Sequence, residues 1–189
     1  FVRVDLEGCP EINALVENVV DTARGTSIAE NGAKVQTVEH VLAAVAGMGI
    51  DNLIIEVDQA ETPIMDGSSR FFMEALEKCG IQEQPALRDY LELHTPVYYE
   101  EPEQKIEMVA LPYPRFKVST MINFETKVLG EQYAVMERIE DFRNEISMCR
   151  TFVFLHELEY LLKNELIRGG DLNNAIVFVN RAVSQDELN

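Results

Sequence analysis

Strand patterns followed by helix patterns occur twice along this chain of 189 residues, and this order constrains its fold more than any other feature. The two occurrences are separated by residues 83–86, a short segment with a proline that is typical of a linker. Strands grouped ahead of helices indicate an α+β fold. We therefore predict two consecutive domains, residues 1–86 and 87–189, each a two-layer sandwich of a β-sheet with helices on one face.

Short alternating segments predict three strands in the first half, at residues 2–6, 16–20 and 26–30. Asn31 and Gly32 favour a hairpin turn that returns the chain to Val35. Residues 52–57 carry apolar side chains on both faces, which predicts a strand in the centre of a sheet.

Two helices are predicted in the first half. Thr37 is the expected N-cap of a helix over residues 38–46, which ends at the glycines that follow. Ser68 or Ser69 is expected to cap a second helix, and Gly80 to end it. The apolar side of this second helix is predicted to hold Phe71, Phe72, Ala75, Leu76 and Cys79.

The second half repeats the order of strands and then helices. Three strands are predicted at its start, at residues 90–98, 105–110 and 115–124. In the last of them every second residue from position 116 to position 124 falls on one face. Two helices and one further strand are predicted after them, at residues 137–147, 152–166 and 175–179.

Charge and cysteine content limit the partners and the compartment of this protein. Hydrophobic residues make up 47% of the chain, which is typical of a globular protein, and the formal net charge is -17. This charge opposes binding to nucleic acid or to an anionic membrane surface. No apolar run approaches the length of a membrane span, and the start has no signal-peptide pattern. Cys9, Cys79 and Cys149 are far apart, which favours reduced thiols in the cytoplasm.

Glu39 and His40 place a carboxylate beside an imidazole at a predicted helix start. Neighbouring helical residues point about 100° apart, so the two side chains can border one cavity without sharing a face. This pair can act as a general base next to a metal ligand. The residues alone favour the other reading, a first-turn glutamate stabilised by the helix dipole and a histidine that caps the helix or lies in the core.

The other two histidines, His94 and His156, give no metal motif. His156 and Glu157 match half of the zinc-protease helix motif, but Tyr160 occupies the position of its second histidine, so a solvated helix face is the better explanation. His94 is predicted at the surface or edge of a strand. A catalytic zinc normally has three protein ligands, and this chain does not supply an evident set. Nucleophile elbows and glycine-rich phosphate loops are also absent from the sequence.

Several separate motifs together carry a resemblance to a known family. In chain order they are residues 37–40, 47–52, 63–68, 150–152 and 159–170. This set closely resembles the UDP-3-O-acyl-N-acetylglucosamine deacetylase (LpxC) family of lipid A biosynthesis. The similarity runs from about residue 21 to residue 179 and so covers most of the chain.

The resemblance implies a zinc-dependent hydrolase that removes the acetyl group from a UDP-linked 3-O-acylglucosamine. It implies that His40 is one zinc ligand and Glu39 the general base, since zinc lowers the pKa of its water to near neutrality. Thr151 matches a threonine whose hydroxyl helps to hold the oxyanion. Phe152 matches a residue beside the sugar and the nucleotide.

Residues 153–180 resemble the family's inserted helix-strand unit, which forms an apolar tunnel for the acyl chain. The matching apolar positions are Phe154, Leu158, Ile167, Ala175 and Val177. Such side chains can bury an alkyl chain at about 0.8 kcal/mol per methylene. The alternative is that they form the small core of the insert itself.

The chain departs from the family at both ends. The resemblance places a second zinc histidine, a zinc aspartate, a lysine and an acid histidine after the position of Asn189, and the family's first strands before Phe1. We therefore expect an internal fragment that lacks both ends, holds one of three zinc ligands and is inactive alone. Some family members are also fused to a β-hydroxyacyl carrier-protein dehydratase. Asp66 is either a loop residue that accepts backbone hydrogen bonds or a support for the active site.

Two other functional classes remain as alternatives. The first is a non-catalytic acidic interaction module that keeps the fold without the chemistry. The second is a small-molecule kinase, since such kinases share a comparable core of strands and helices, but the sequence has no Gly/Ser-rich phosphate loop.

Overall fold

The computed structural model describes residues 1–23, 25–158 and 173–180, and its elements form an α+β fold, as predicted. The first half contains five strands: β1 (Val2–Arg3), β2 (Val19–Asp21), β3 (Ser27–Glu30), β4 (Ala33–Val35) and β5 (Glu56–Val57). It also contains two helices: α1 (Glu39–Gly47) and α2 (Arg70–Cys79). The strands form an antiparallel sheet in the order β2-β3-β4 and a parallel pair of β1 with β5.

The hairpin predicted at Asn31 and Gly32 is confirmed. Both residues have positive φ, at 51° and 75°, which the tight turn requires and which these two residue types tolerate best. The turn sets Ile28 opposite Val35 in the β3–β4 ladder. Both side chains are therefore directed into one hydrophobic core, whose buried members are Ile12, Ile28, Ala33, Val35, Val38 and Val57.

Thr37 does not cap α1, so that prediction was wrong. The N-cap position belongs to Val38, which makes no side-chain cap. Thr37 has a φ of 59°, and its hydroxyl donates to the carboxylate of Glu61 at 2.7 Å. Its neighbour Gln36 forms an isolated parallel bridge with Glu61, and this pairing orients the Thr37 side chain away from the helix start.

Residues 52–57 do not form a central strand. Only Glu56 and Val57 are extended as β5, which pairs with β1, and in the described part of the chain it has no second neighbour. Ile54 is 74% exposed and Leu53 is 45% exposed, because no layer covers them among the described residues. The first predicted strand is likewise short, and residues 16–18 form a 3₁₀ turn that leads into β2.

The start and end predicted for α2 are confirmed, but its buried face is not the predicted one. Ser69 is the N-cap residue, and Gly80 ends the helix with a φ of 77°. Met73 is the buried residue of α2, with Phe72 and Leu76 packed beside it. The predicted members Phe71, Ala75 and Cys79 are exposed, because α2 packs on α1 through the turn that carries Met73.

The second half has six described strands: β6 (Val97–Glu101), β7 (Ile106–Ala110), β8 (Val118–Asn123), β9 (Glu131–Met136), β10 (Phe152–Phe154) and β11 (Ile176–Phe178). β6 with β7 and β8 with β9 form antiparallel hairpins, whereas β10 and β11 pair in parallel. The strand predicted at residues 175–179 is confirmed as β11, while β9 was not predicted from the sequence.

The two helices predicted in the second half are corrected. Residues 137–147 contain a 3₁₀ turn, Ile139–Asp141, followed by the four-residue helix α3, Phe142–Glu145. The helix predicted at residues 152–166 begins instead with β10, and residues 155–158 are helical. The rest of that prediction lies outside the described residues.

A second core joins elements from both sides of residue 86. Its buried members are Ala44 on α1, Met73 on α2, Met136 on β9 and Phe142 on α3. Gly47 lies against the Phe142 ring, where a side chain would overlap the ring. The division into domains 1–86 and 87–189 stays a prediction. None of the helices in the described ranges has both the length and the apolar character for crossing a bilayer.

Candidate functional site

Glu39 opens helix α1 and is held by the loop that precedes β3. Its Oε2 atom accepts a hydrogen bond from the backbone N–H of Thr26 at 2.8 Å. Its Oε1 lies 2.9 Å from the point that a Cβ atom on Gly25 would occupy, so the carboxylate rests directly against this backbone. A carboxylate at a helix N-terminus is also favoured by the helix dipole. The structure therefore gives Glu39 a defined position.

His40 is half-buried at the same end of α1. The buried residues of α1 are Val41 and Ala44, one and four positions after His40. An imidazole that is partly exposed beside a fixed carboxylate is compatible with a metal-ligand role. His40 therefore stays a candidate metal ligand.

The loop of residues 63–69 is folded around Asp66. Its Oδ1 atom accepts hydrogen bonds from the backbone N–H and the hydroxyl of Ser68, at 3.1 and 2.6 Å. Its Oδ2 atom lies 3.3 Å from a guanidinium nitrogen of Arg70. These contacts stay within the loop and the first turn of α2, which is the loop role that the sequence allowed.

Thr151 is attached to this loop through its backbone. Its N–H donates to the carbonyl of Gly67 at 2.7 Å, and its own carbonyl accepts from Ile176 at 3.0 Å. The Arg150 side chain donates to the carbonyl of Asp66 at 2.6 Å. Two motifs more than 80 positions apart in the chain are thereby brought together, and Thr151 itself is exposed.

Four phenylalanines form a cluster around β10 and β11: Phe124, Phe152, Phe154 and Phe178. Phe152 meets Phe124 and Phe178 edge to face, each at 5.5 Å between ring centroids. Such pairs contribute about 0.5–1.5 kcal/mol beyond their buried area. Sequence reasoning singled out Phe152 and Phe154 but missed Phe124 and Phe178. These two could have been found as aromatic residues at or next to the last position of a predicted strand.

The residues expected to line an acyl tunnel divide between the two faces of this ribbon. The register pairs Phe154 with Phe178 and Val153 with Val177. Because successive strand residues point to opposite faces, Val177 and Phe154 lie on different faces. Leu158 is half-buried in the helical residues that follow β10, and Ile167 lies outside the described residues.

The remaining histidines are exposed, as predicted, but the strand predicted at residues 90–98 begins only at Val97, so His94 lies in a bend ahead of β6. His94 is exposed, and so is His156, whose ring stacks on Phe154 at 5.6 Å. Glu157 accepts a hydrogen bond from the backbone N–H of Phe154 at 3.1 Å and so helps to start the turn.

An ion pair connects α2 and α3, two of the helices that contribute to the second core. The Arg143 guanidinium on α3 donates to both carboxylate oxygens of Glu77 on α2. This hydrogen bonding, together with the opposite charge, lowers the pKa of the Glu77 carboxyl from its ordinary value. The pair ties α2 to the segment that leads to Thr151.

Comparison with known proteins identifies one family over the whole chain. The profile described as UDP-3-O-acyl N-acetylglycosamine deacetylase (LpxC) matches residues 1–189. A bifunctional enzyme LpxC/FabZ from Chlorobaculum tepidum is 42% identical over 189 residues, which is 100% of this chain and 40% of the relative. The corresponding bifunctional enzyme of Bacteroides thetaiotaomicron is 39% identical over 97% of the chain and 40% of its own length.

Relatives without a bifunctional name are similar to the same degree. A UDP-3-O-acyl-N-acetylglucosamine deacetylase from Myxococcus xanthus is 42% identical over 178 residues, which is 94% of this chain and 56% of the relative. The chain thus spans about half the length of the curated relatives that it matches, from 40% to 59% of it.

Proposed function

Because this chain belongs to the UDP-3-O-acyl N-acetylglycosamine deacetylase (LpxC) family, we propose that it is part of a zinc-dependent deacetylase of lipid A biosynthesis. Its substrate is UDP-3-O-acyl-N-acetylglucosamine, from which it removes the acetyl group. The observation that carries the proposal is the Glu39 carboxylate, fixed by Thr26 beside His40 at the start of α1. A general base needs such a fixed position close to the reacting atoms.

Three side chains divide the chemical roles. His40 donates one nitrogen to the zinc ion, which when bound supplies an activated water at neutral pH and polarises the amide carbonyl. Glu39 would accept the proton of the attacking water, and protonation of the departing amine is assigned to the acid histidine in polypeptide outside this chain. Thr151 donates its hydroxyl to the oxygen of the amide carbonyl, where negative charge develops.

The aromatic cluster gives the substrate an apolar surface. Phe152 follows Thr151 in the chain and packs edge to face on Phe154, and we propose that it lies beside the sugar and the nucleotide, while Phe154 belongs to the apolar positions for the acyl chain. Leu158, Ile167 and Val177 are the residues that we propose to contact the acyl chain. Each methylene buried there contributes about 0.8 kcal/mol.

The activity belongs to the whole polypeptide. One of three zinc ligands is assigned in this chain, and the other two and the proton donor are assigned to polypeptide outside it. Fusion to a dehydratase is part of the same proposal, because three relatives carry a bifunctional name. The chain is 42% identical both to a relative with a bifunctional name and to a relative named only as a deacetylase. Sequence identity does not separate the two cases, so fusion stays a prediction. A cytoplasmic location belongs to the proposal as well.

Counting bound zinc in variants of the full-length protein tests this proposal. His40→Ala is expected to lose most of the bound zinc and of the deacetylase activity, because one of three protein ligands is removed. The control is His94→Ala, since His94 is exposed on the second half and is expected to keep wild-type zinc and activity. Unchanged zinc content in His40→Ala would count strongly against the deacetylase assignment.

One observation favours a second candidate, the non-catalytic acidic interaction module. Large apolar side chains of the β6–β9 hairpins are exposed, among them Tyr98, Met108, Met121 and Tyr133. Exposed apolar side chains on a two-stranded hairpin are typical of a surface that a further layer or a protein partner covers. A full-length protein that binds no zinc but retains its fold would support this candidate.

A further inference from the structure

Gly67 lies at the point where three segments of the chain meet. Its carbonyl accepts the N–H of Thr151 at 2.7 Å, and the carbonyl of Thr151 in turn accepts the N–H of Ile176 at 3.0 Å. The backbone of Thr151 is thus anchored on one side to the loop of residues 63–69 and on the other side to β11.

The space beside the Gly67 α-carbon is filled by these neighbours. A Cβ atom on this residue would overlap the carbonyl oxygen of Asn174 and would lie 3.0 Å from the Asn174 carbonyl carbon. It would also lie 3.0 Å from the Cγ2 methyl of Thr151. Backbone atoms cannot rotate out of the way as a flexible side chain can, so a methyl group at position 67 must move one of the two segments.

Two further contacts fix the same junction. Ser69 donates its N–H to the carbonyl of Ser147 at 3.1 Å, and Arg150 donates to the carbonyl of Asp66 at 2.6 Å. Their partners in the loop, Asp66 and Ser69, precede and follow Gly67 in the chain. The junction therefore has a single register, and displacement at Gly67 is passed to Thr151 rather than absorbed by sliding.

We propose that Gly67 is a positioning residue for the hydroxyl of Thr151. This inference rests on the proposed function, in which Thr151 holds the oxyanion. A hydrogen bond to a developing charge weakens steeply with distance and angle, and a displacement of about 1 Å can lower a rate about 100-fold. Because Gly67 has no side chain, Thr151 and the backbone at Asn174 can approach it closely. This close approach fixes the position of the Thr151 hydroxyl.

The first test compares two glycine variants of the full-length protein. Gly67→Ala is expected to lower kcat about 100-fold and to leave KM within about threefold, since the loss of one oxyanion donor has an effect of this size. The control is Gly8→Ala. Gly8 has a φ of 79° and Gly67 one of 80°, so the two substitutions are made at the same positive φ, but nothing lies within 4 Å of a Cβ on Gly8. It is expected to keep wild-type kcat.

A double-mutant cycle separates positioning from general damage. Thr151→Ala alone is expected to lower kcat about 100-fold, and adding Gly67→Ala to it is expected to lower kcat by no more than about threefold further. Fully additive losses would overturn the inference. Bound zinc and thermal unfolding are measured on every variant, and a general defect would lower both.

A second variant covers the case in which Gly67→Ala does not fold. Replacing the amide of Thr151 with an ester removes the N–H that Gly67 accepts and leaves every side chain unchanged. It is expected to lower kcat at least about 10-fold with unchanged zinc content, the loss of roughly one hydrogen bond. Unchanged kcat in this variant would refute the positioning role.

The outcomes also separate this inference from the proposed function. If the wild-type full-length protein does not deacetylate the substrate, or if Thr151→Ala keeps wild-type kcat, the proposed role of Thr151 fails and the inference fails with it. If Thr151→Ala is impaired while Gly67→Ala matches Gly8→Ala, the proposed function stands and only the positioning role is lost.

Discussion

At the scale of single residues, backbone groups fix the side chains that are proposed to carry the chemistry. The N–H of Thr26 holds the Glu39 carboxylate, and the carbonyl of Gly67 holds the backbone of Thr151. A backbone group is already ordered by the strand or loop that contains it, so the contact costs entropy mainly on the side of its partner. Sequence reasoning did not identify either of these two backbone contacts.

The role of Glu39 leads to a prediction at this scale. Glu39→Gln in the full-length protein keeps an oxygen that can accept from Thr26 but loses the ability to take a proton. We expect kcat to fall about 100- to 10,000-fold with unchanged zinc content, which is the usual contribution of a general base. Steady-state kinetics and metal analysis measure the two quantities.

Glu61→Gln is the matched control, because Glu61 accepts a hydrogen bond from the Thr37 hydroxyl close to the same helix start. It is expected to keep wild-type kcat. A Glu39→Gln enzyme with kcat within about threefold of the wild type would contradict the assignment of Glu39 as the base.

At the scale of elements, three helices and one strand are held together by a small shared core. α1, α2 and α3 contribute Ala44, Met73 and Phe142, and β9 contributes Met136. Gly47 lets α1 approach the Phe142 ring closely. The ion pair of Glu77 with Arg143 lies at the rim of this core and links α2 to α3.

The Glu77 pair predicts a dependence of stability on pH. Its folded-state pKa is lowered, so the carboxylate stabilises the fold above its unfolded pKa of about 4.5, and this contribution is lost as the pH falls through the lowered folded value. Glu77→Gln is therefore expected to be less stable than the wild type at pH 7 and equal to it at about pH 2. Because both side chains are partly exposed, the difference is small and decreases in high salt.

Urea unfolding at the two pH values measures this difference. Arg143→Gln is the companion variant, and the double variant is expected to be no less stable than either single one, since both remove the same interaction. A stability difference between wild type and Glu77→Gln that is the same at both pH values would exclude the ionised pair as its source.

At the scale of the whole molecule, burial is uneven. The first half has a core of six buried residues around β3 and β4, whereas β6, β7 and β8 have no buried residue. A two-stranded hairpin is marginal in water unless a further layer covers its apolar face. The chain spans 40% to 59% of the length of its curated relatives, and we propose that the activity belongs to the longer polypeptide.

The inactivity of this chain alone is the prediction at this scale. The isolated 189-residue chain, supplied with zinc and the UDP-linked substrate, is expected to show no deacetylation above background, because one of three proposed zinc ligands lies in it. The full-length protein assayed in parallel is the control and is expected to be active. Appreciable turnover by the isolated chain would refute this prediction.

Predictions from the sequence were most accurate where local chemistry decides the structure. The Asn31–Gly32 turn and the end of α2 at Gly80 depend on backbone preferences of single residues, and both are confirmed. The prediction of residues 52–57 as a central strand failed, because an apolar run indicates burial only if other elements cover it. β9 was missed because its pairing with β8 is a contact between strands, not a local pattern.

The sequence by itself determined the fold class, the Asn31–Gly32 turn, the two helices of the first half and the identity of the candidate groups Glu39, His40 and Thr151. These follow from interactions within a few residues and from motifs that are read in order along the chain. Only the tertiary structure decided which backbone groups hold them, since the contacts of Thr26 with Glu39 and of Gly67 with Thr151 join residues 13 and more than 80 positions apart. Such contacts depend on how helices and loops pack, which local preferences do not specify.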